Sequence, residues 1–227
     1  HGILHPNKEN YLMNRIPADN LINNNINLLI SGKAYRQILI TNDSTSFFRN
    51  QSFVIGSHLS VQESKHHDFN NNILVTLQFT YDHTDQENRS LLKSLDELIQ
   101  NTDKSNTFYL KNHPRFNNSI NIDYLFDLDN VKIAPYNIKD CFKKCSLHVT
   151  AYSTSIFEAA LVGIPTLIIN PLVQYNYFQR YFSYESKYVI KDFRNSRFYI
   201  QESSKVKDWA ISYYTSYDEN AFLRLLK

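Results

Sequence analysis

Apolar residues in this chain come in short runs, each closed by a turn signal and followed by a stretch of helical spacing. Asn27 to Ile30 ends at Ser31-Gly32, Lys33 to Thr41 has helical periodicity, and Phe53 to Ile55 ends at Gly56, so the segment predicts a β-α-β unit. After an Asn-rich polar stretch come strand Ile73 to Phe79 and a helix from about Asp85 to Gln100 with Leu91, Leu92, Leu95, Leu98 and Ile99 on one stripe. Strands Thr107 to Lys111 and Val131 to Ala134, helix Asn137 to Cys145, strand Leu147 to Thr150, helix Thr154 to Val162 and strand Thr166 to Ile169 continue the alternation. Strands separated by helices predict an α/β fold: a Rossmann-like, doubly wound parallel sheet with helices on both faces. The ligand crevice of such a sheet lies at the carboxyl ends of its strands, so functional residues are expected just after strands.

The same pattern divides the chain. Residues 1–61 read as a lead-in with the first β-α-β unit, 62–72 as a polar loop, 73–171 as the sheet core and 172–227 as an aromatic-rich helical tail packing on that core. Tyr175, Tyr177, Phe178, Tyr181, Phe182 and Tyr184 are too dense for one helical stripe. Some of them are expected against another part of the protein or along the crevice, and the plainer expectation is a surface-packed tail.

Two segments carry chemistry. Tyr152-Ser153-Thr154-Ser155-Ile156-Phe157-Glu158 stands between a strand and a helix, where small hydroxyl residues either cap the helix or, with its free N–H groups, hold a phosphate. Glu158, three residues after Ser155, either closes a capping box on it or faces the crevice to accept ribose hydroxyls. Gly163 is placed to end that helix in a left-handed turn. Lys111-Asn112-His113-Pro114-Arg115 directly follows a strand, and Pro114 both stops the ladder and holds His113 extended at the carboxyl edge. An imidazole there serves as a phosphate donor or proton carrier among positive charges, or is an ordinary loop histidine. Gln78, near a strand end, either touches a ligand or is an ordinary polar end residue.

Composition narrows the partners. With 24 basic and 22 acidic residues among 227, the net charge of +2 lacks the clustered field that grips nucleic acid, and no nucleic-acid partner is expected. Cys141 and Cys145, four apart with no second pair, read as reduced, packed thiols rather than metal ligands. His66-His67-Asp68 reads as a solvated loop, and in Asp82-His83-Thr84-Asp85 a helix N-cap at Thr84 or Asp85 accounts for the pattern, with His83 a minor candidate for the crevice. No apolar run approaches the roughly 20 residues that span a bilayer, and a cytoplasmic location is expected. The opening His1-Gly2, without an initiator Met, is expected to lie inside a longer reading frame.

Taken in order, the His-Pro pair after one strand and the Ser/Thr cluster leading into a helix with Glu158 and a Gly-Ile-Pro ending resemble the carboxy-terminal domain of bacterial two-domain GT-B glycosyltransferases that build capsules and related surface polymers. His-Pro-motif sialyltransferases and polysialyltransferases and the CDP-glycerol glycerophosphotransferases are similar. The resemblance reaches His1-Gly2, since those enzymes carry a His-Gly pair at the exit of their amino-terminal domain. It implies a metal-independent transferase without a cofactor, binding a CMP-, CDP- or UDP-linked donor. His113 and Pro114 would meet the donor phosphate, with Ser153, Thr154 and Ser155 cradling it, Glu158 on the ribose, Gln78 nearby and His1 as the base. A glycan or lipid-linked acceptor would be held by an amino-terminal domain, at the cytoplasmic face of the inner membrane. A 2-epimerase-like isomerase and a non-catalytic nucleotide-binding module are the alternatives on the same scaffold.

Overall fold

In the computed structural model, which describes residues 4–6, 8–59, 70–184 and 203–226, the chain forms two units. The first opens with a small antiparallel pair, β1 (Leu12–Met13) and β2 (Ile16–Pro17), and a short helix α1 (Asp19–Asn23). β3 (Leu28–Ile30), α2 (Lys33–Asn42), α3 (Phe47–Gln51) and β4 (Ser52–Val54) follow, with β3 and β4 parallel in a sheet of their own. This is the predicted β-α-β unit, closed by the buried side chains of Ile30, Tyr35, Leu39 and Phe48.

The second unit holds β5 (Asn72–Thr76), α4 (Asp85–Asn101), β6 (Thr107–Lys111), β7 (Val131–Ile133), α5 (Ile138–Lys144), β8 (Leu147–Thr150), α6 (Ser155–Leu161), β9 (Thr166–Ile168) and α7 (Tyr177–Tyr181). Its five strands are all parallel in the order β7-β6-β5-β8-β9. Alternation along each strand feeds both faces. Ile73, Val75, Phe108, Leu110, Leu147 and Val149 pack with Leu91, Leu95, Leu98 and Ile99, the predicted stripe of α4. Leu74 and Tyr109 point the other way, onto Cys141, Phe142 and Cys145 of the α5 region and Ala159 and Ile164 around α6. Both cysteines are free thiols in this core.

Local signals set the helix ends. Thr84 caps α4 in a full capping box with Glu87. α6 stops at Gly163, φ +80°, where the Ile164 amide reaches the Ala159 carbonyl at 2.9 Å and the Gly163 amide that of Ala160 at 2.9 Å. Both bonds of a Schellman ending are thus present, and the Ile164–Ala159 contact accompanies them.

The expected surface-packed tail over 172–227 is corrected in two respects. Phe178 and Phe182 are buried with their rings against Phe157, and the buried Tyr184 hydroxyl donates to the Thr166 carbonyl and accepts its amide. This stretch is core because Phe157, on a helix whose sides are nearly all buried, needs a cover. Beyond it lie α8 (Ser203–Tyr213) and α9 (Glu219–Arg224), and residues 208–226 belong to the first unit. The Thr215 amide bonds the Ser31 carbonyl at 2.9 Å, the Ser57 amide bonds that of Thr215 at 2.8 Å, and the Asp218 amide bonds that of Ile55 at 2.8 Å.

Two glycines admit this backbone. A Cβ on Gly32 would stand 2.3 Å from the Tyr213 carbonyl group, and one on Gly56, at φ +81°, 2.0 Å from the Ser216 oxygen. Gly56→Ala should therefore cost on the order of 2 kcal/mol in urea unfolding, since strain and collision add. Amide exchange at Ser57 and Asp218 should rise with it; unchanged stability would mean that the segment docks without needing that space.

Candidate functional site

The chain winds outward from β5 through β6 to β7, then returns to add β8 and β9 on the other side. Strand order therefore reverses between β5 and β8, and the loops leaving β5, β6 and β8 meet the same carboxyl edge. The His-Pro turn and the Ser/Thr cluster stand at one end of one sheet, as their positions after strands predict.

His113, half-buried after β6, accepts the Arg115 amide on Nδ1 at 3.1 Å. That bond places the imidazole proton on Nε2, which has no partner among the described residues. Burial, then the nearby Arg115 guanidinium, lowers the His113 pKa against the opposing pull of Asp82. The ring is a neutral N–H donor. The two cations beside it are already engaged: Lys111 Nζ donates to the carbonyls of Pro135 and Tyr136 at 3.1 and 2.6 Å, and Arg115 pairs with Asp82 at 2.6 Å. Pro114 is exposed between them.

In the cluster after β8, Ser153 is half-exposed and Thr154 exposed. Thr154 occupies the N-cap position of α6 without any side-chain cap bond. Among the amides from Ser153 to Phe157, that of Thr154 alone has no partner among the described residues; Ser153 bonds Thr150 Oγ1, Ser155 bonds Ser153 Oγ, and the next two reach carbonyls. Ser155 departs from expectation. It is 4% exposed, and its hydroxyl lies within 3.1 Å of Thr76 Oγ1 and 3.3 Å of His148 Nε2 and donates to Ser153 Oγ at 2.9 Å. An inward row of polar groups pulls it off the crevice. α6 is seven residues long, so hydroxyls and single amides rather than a long helix dipole are what this turn offers a ligand.

Glu158 makes no capping-box bond, because Ser155 is the first residue of the helix rather than its cap. Its carboxylate is half-buried, and burial raises its pKa against the opposing Lys139. Gln78 is buried and donates to the Leu77 carbonyl at 3.0 Å, two residues beyond the end of β5, which stops at Thr76 rather than at Phe79. His1, His66 and His67 lie outside the described residues.

The structure joins side chains to which the sequence assigned only minor or separate places. His83, buried in the loop after β5, shares a hydrogen bond between its Nε2 and the Tyr152 hydroxyl. Tyr175, from the segment after β9, stacks on Tyr152 at 4.8 Å between centroids, and Gln174 beside it donates to Glu87 at 2.6 Å. Three loops are tied together through His83, which read chiefly as part of a helix-capping tetrapeptide. Among the described residues no three His, Cys, Asp or Glu side chains cluster as metal ligands, and no helix is long and apolar enough to cross a membrane.

No protein-family model and no curated protein matches the chain. Solved structures do. The wall teichoic acid polymerase TagF aligns at a TM-score of 0.50 and 16% identity over 88% of this chain and 55% of its own. S. aureus TarM, as a variant solved with fondaparinux, α-GlcNAc-glycerol and UDP, aligns at 0.51 and 15% over 88% and 43%. S. aureus MnaA with UDP aligns at 0.50 and 15% over 88% and 58%. The chain thus spans about half the length of the structures it matches. At these identities the likeness establishes fold, and the fold is the expected one: a doubly wound parallel sheet of the kind that forms one half of a GT-B architecture.

Proposed function

We propose that this chain is the donor-binding half of a bacterial glycosyltransferase, or a close transferase of phosphate-linked groups, that uses a pyrimidine nucleotide-activated donor to build a capsule or related surface polymer. The observation that carries the reading is a set of unspent donors at one carboxyl edge of the sheet: the Nε2–H of His113, the Thr154 amide and the hydroxyls of Ser153 and Thr154. Transfer from a nucleotide donor leaves growing negative charge on phosphate oxygens, and fixed donors of this kind stabilise it. Glu158, half-buried and without a capping role, suits ribose hydroxyls. The aligned structures of TarM and MnaA contain UDP, and one of TagF was soaked with CDPG, which supports a pyrimidine diphosphate here. The acceptor and the catalytic base, assigned by resemblance to His1, belong with the amino-terminal domain of the whole protein, working at the cytoplasmic face of the inner membrane.

Thermal-shift titration against CMP, CDP, UDP and GDP tests the reading. CDP or UDP at a hundredfold excess over its dissociation constant adds about 2.7 kcal/mol of apparent stability, and GDP should not match it. Ser153→Ala with Thr154→Ala should weaken the preferred diphosphate by on the order of tenfold while the protein stays folded. Equal response to all four nucleotides, or unchanged affinity in the double variant, would return the turn to a structural role.

A further inference from the structure

One polar seam crosses the otherwise apolar sheet face beneath α5 and α6. His148 of β8, 0% exposed, sits beside its register partner Thr166 of β9 and the switch-point strand β5, with Nδ1 2.8 Å from Thr166 Oγ1 and Nε2 2.9 Å from Thr76 Oγ1. The Phe142 ring covers it edge-on. Its neighbours at equivalent depth are Leu74 and Tyr109, so packing alone would be served by an aliphatic side chain. What the imidazole adds is direction. Ser155, whose hydroxyl proton goes to Ser153 Oγ, must receive hydrogen bonds from Thr76 and from His148 Nε2. His148 therefore carries its proton on Nε2, and Nδ1 accepts the Thr166 hydroxyl. Ser153 Oγ, already accepting the Ser155 hydroxyl and amide, keeps its own proton for the crevice. Thr150 completes the staple, donating to the Thr76 carbonyl at 3.1 Å and accepting the Ser153 amide at 3.3 Å.

We infer that His148 is a positioning residue for the donor phosphate: through Thr76 and Ser155 it holds the turn after β8 so that the Ser153 hydroxyl and the Thr154 amide face the ligand. The inference rests on the nucleotide-donor reading. Chains of hydrogen bonds polarise one another, so a proton order fixed at a buried ring reaches the exposed end of the row.

The experiment compares the full-length wild type with His148→Leu, Thr166→Val and His148→Gln, titrating CDP and UDP alongside cytidine and uridine. The readout is the ratio of diphosphate to nucleoside affinity, which loss of stability in a still-folded protein does not move. It should fall on the order of tenfold in His148→Leu and by less in Thr166→Val, while His148→Gln, which keeps a donor towards Thr76, recovers much of it. Unchanged ratios in folded variants would overturn the inference and leave the donor reading standing. A wild type that binds neither diphosphate overturns the donor reading, and the inference with it. Should His148→Leu fail to fold, Thr166→Val decides, through its ratio and through amide exchange: acceleration confined to Ser153–Phe157 supports the inference, and exchange as in the wild type overturns it.

Discussion

His113→Ala in the full-length protein should lower kcat on the order of a hundredfold while changing the donor KM only slightly. The Arg115 amide occupies Nδ1, so the ring presents Nε2–H to the crevice and stays neutral near pH 7. Arg115 is paired with Asp82 and Lys111 donates to two carbonyls, whereas the imidazole N–H is a fixed donor without a partner among the described residues. A hydrogen bond from a neutral donor to a diphosphate is modest in the ground state and strengthens as the bond to the transferred group breaks and charge collects on the leaving oxygen. Removing it should therefore appear in turnover rather than in binding. Because the His113 pKa lies below the ordinary histidine value, protonation of this ring should cut activity only below about pH 6.5. Steady-state kinetics with saturating donor check this, and a loss that falls on KM with kcat intact would reassign His113 to ground-state binding.

Much of the second unit is legible in the sequence because its forces are local or periodic. Leu91, Leu95, Leu98 and Ile99 recur at helical spacing and form the buried face of α4, and Gly163 marks the left-handed end of α6. Short apolar runs between helices suffice to predict parallel strands, and right-handed crossovers then put His113 and Ser153 at one edge. What was not legible depends on partners far along the chain. Nothing around Gly32 or Gly56 announces that Tyr213 and Ser216 press their backbone there, so 208–226 read as part of a tail on the wrong unit. Ser155 reads as a surface hydroxyl until Thr76, 79 residues away in sequence, is seen to draw it inward. His148, within Leu147-His148-Val149-Thr150, looks like one polar position of a strand; only the register with Thr166 and Thr76 turns it into the centre of a seam. The cap at Thr84 accounts for the tetrapeptide around His83, and although the ring's place after a strand makes it a minor crevice candidate, nothing local signals its bond to Tyr152.

His148 should also write itself into the acid stability of the fold. Burial drives its pKa from an ordinary 6.5 down to about 3, so the folded chain keeps the ring neutral until the pH approaches 3. The unfolded chain takes up that proton as the pH falls below about 6.5. Between these limits the unfolded state binds more protons, and stability rises with pH; the contribution is fully present above about pH 6.5 and is lost progressively towards pH 3. Carboxylates titrate over part of the same window, so the informative quantity is the difference between the wild type and His148→Gln, in which they cancel. Gln fills a similar volume and hydrogen-bonds without titrating. At pH 4.5 the wild type should have lost on the order of 2–3 kcal/mol more than the variant, relative to each at pH 7.5. Urea unfolding at a series of pH values measures it. Parallel curves for the two proteins would mean that the ring accepts a proton in the folded state, where Nδ1–H would turn the Thr166 hydroxyl from donor to acceptor and leave an imidazolium in a buried seam.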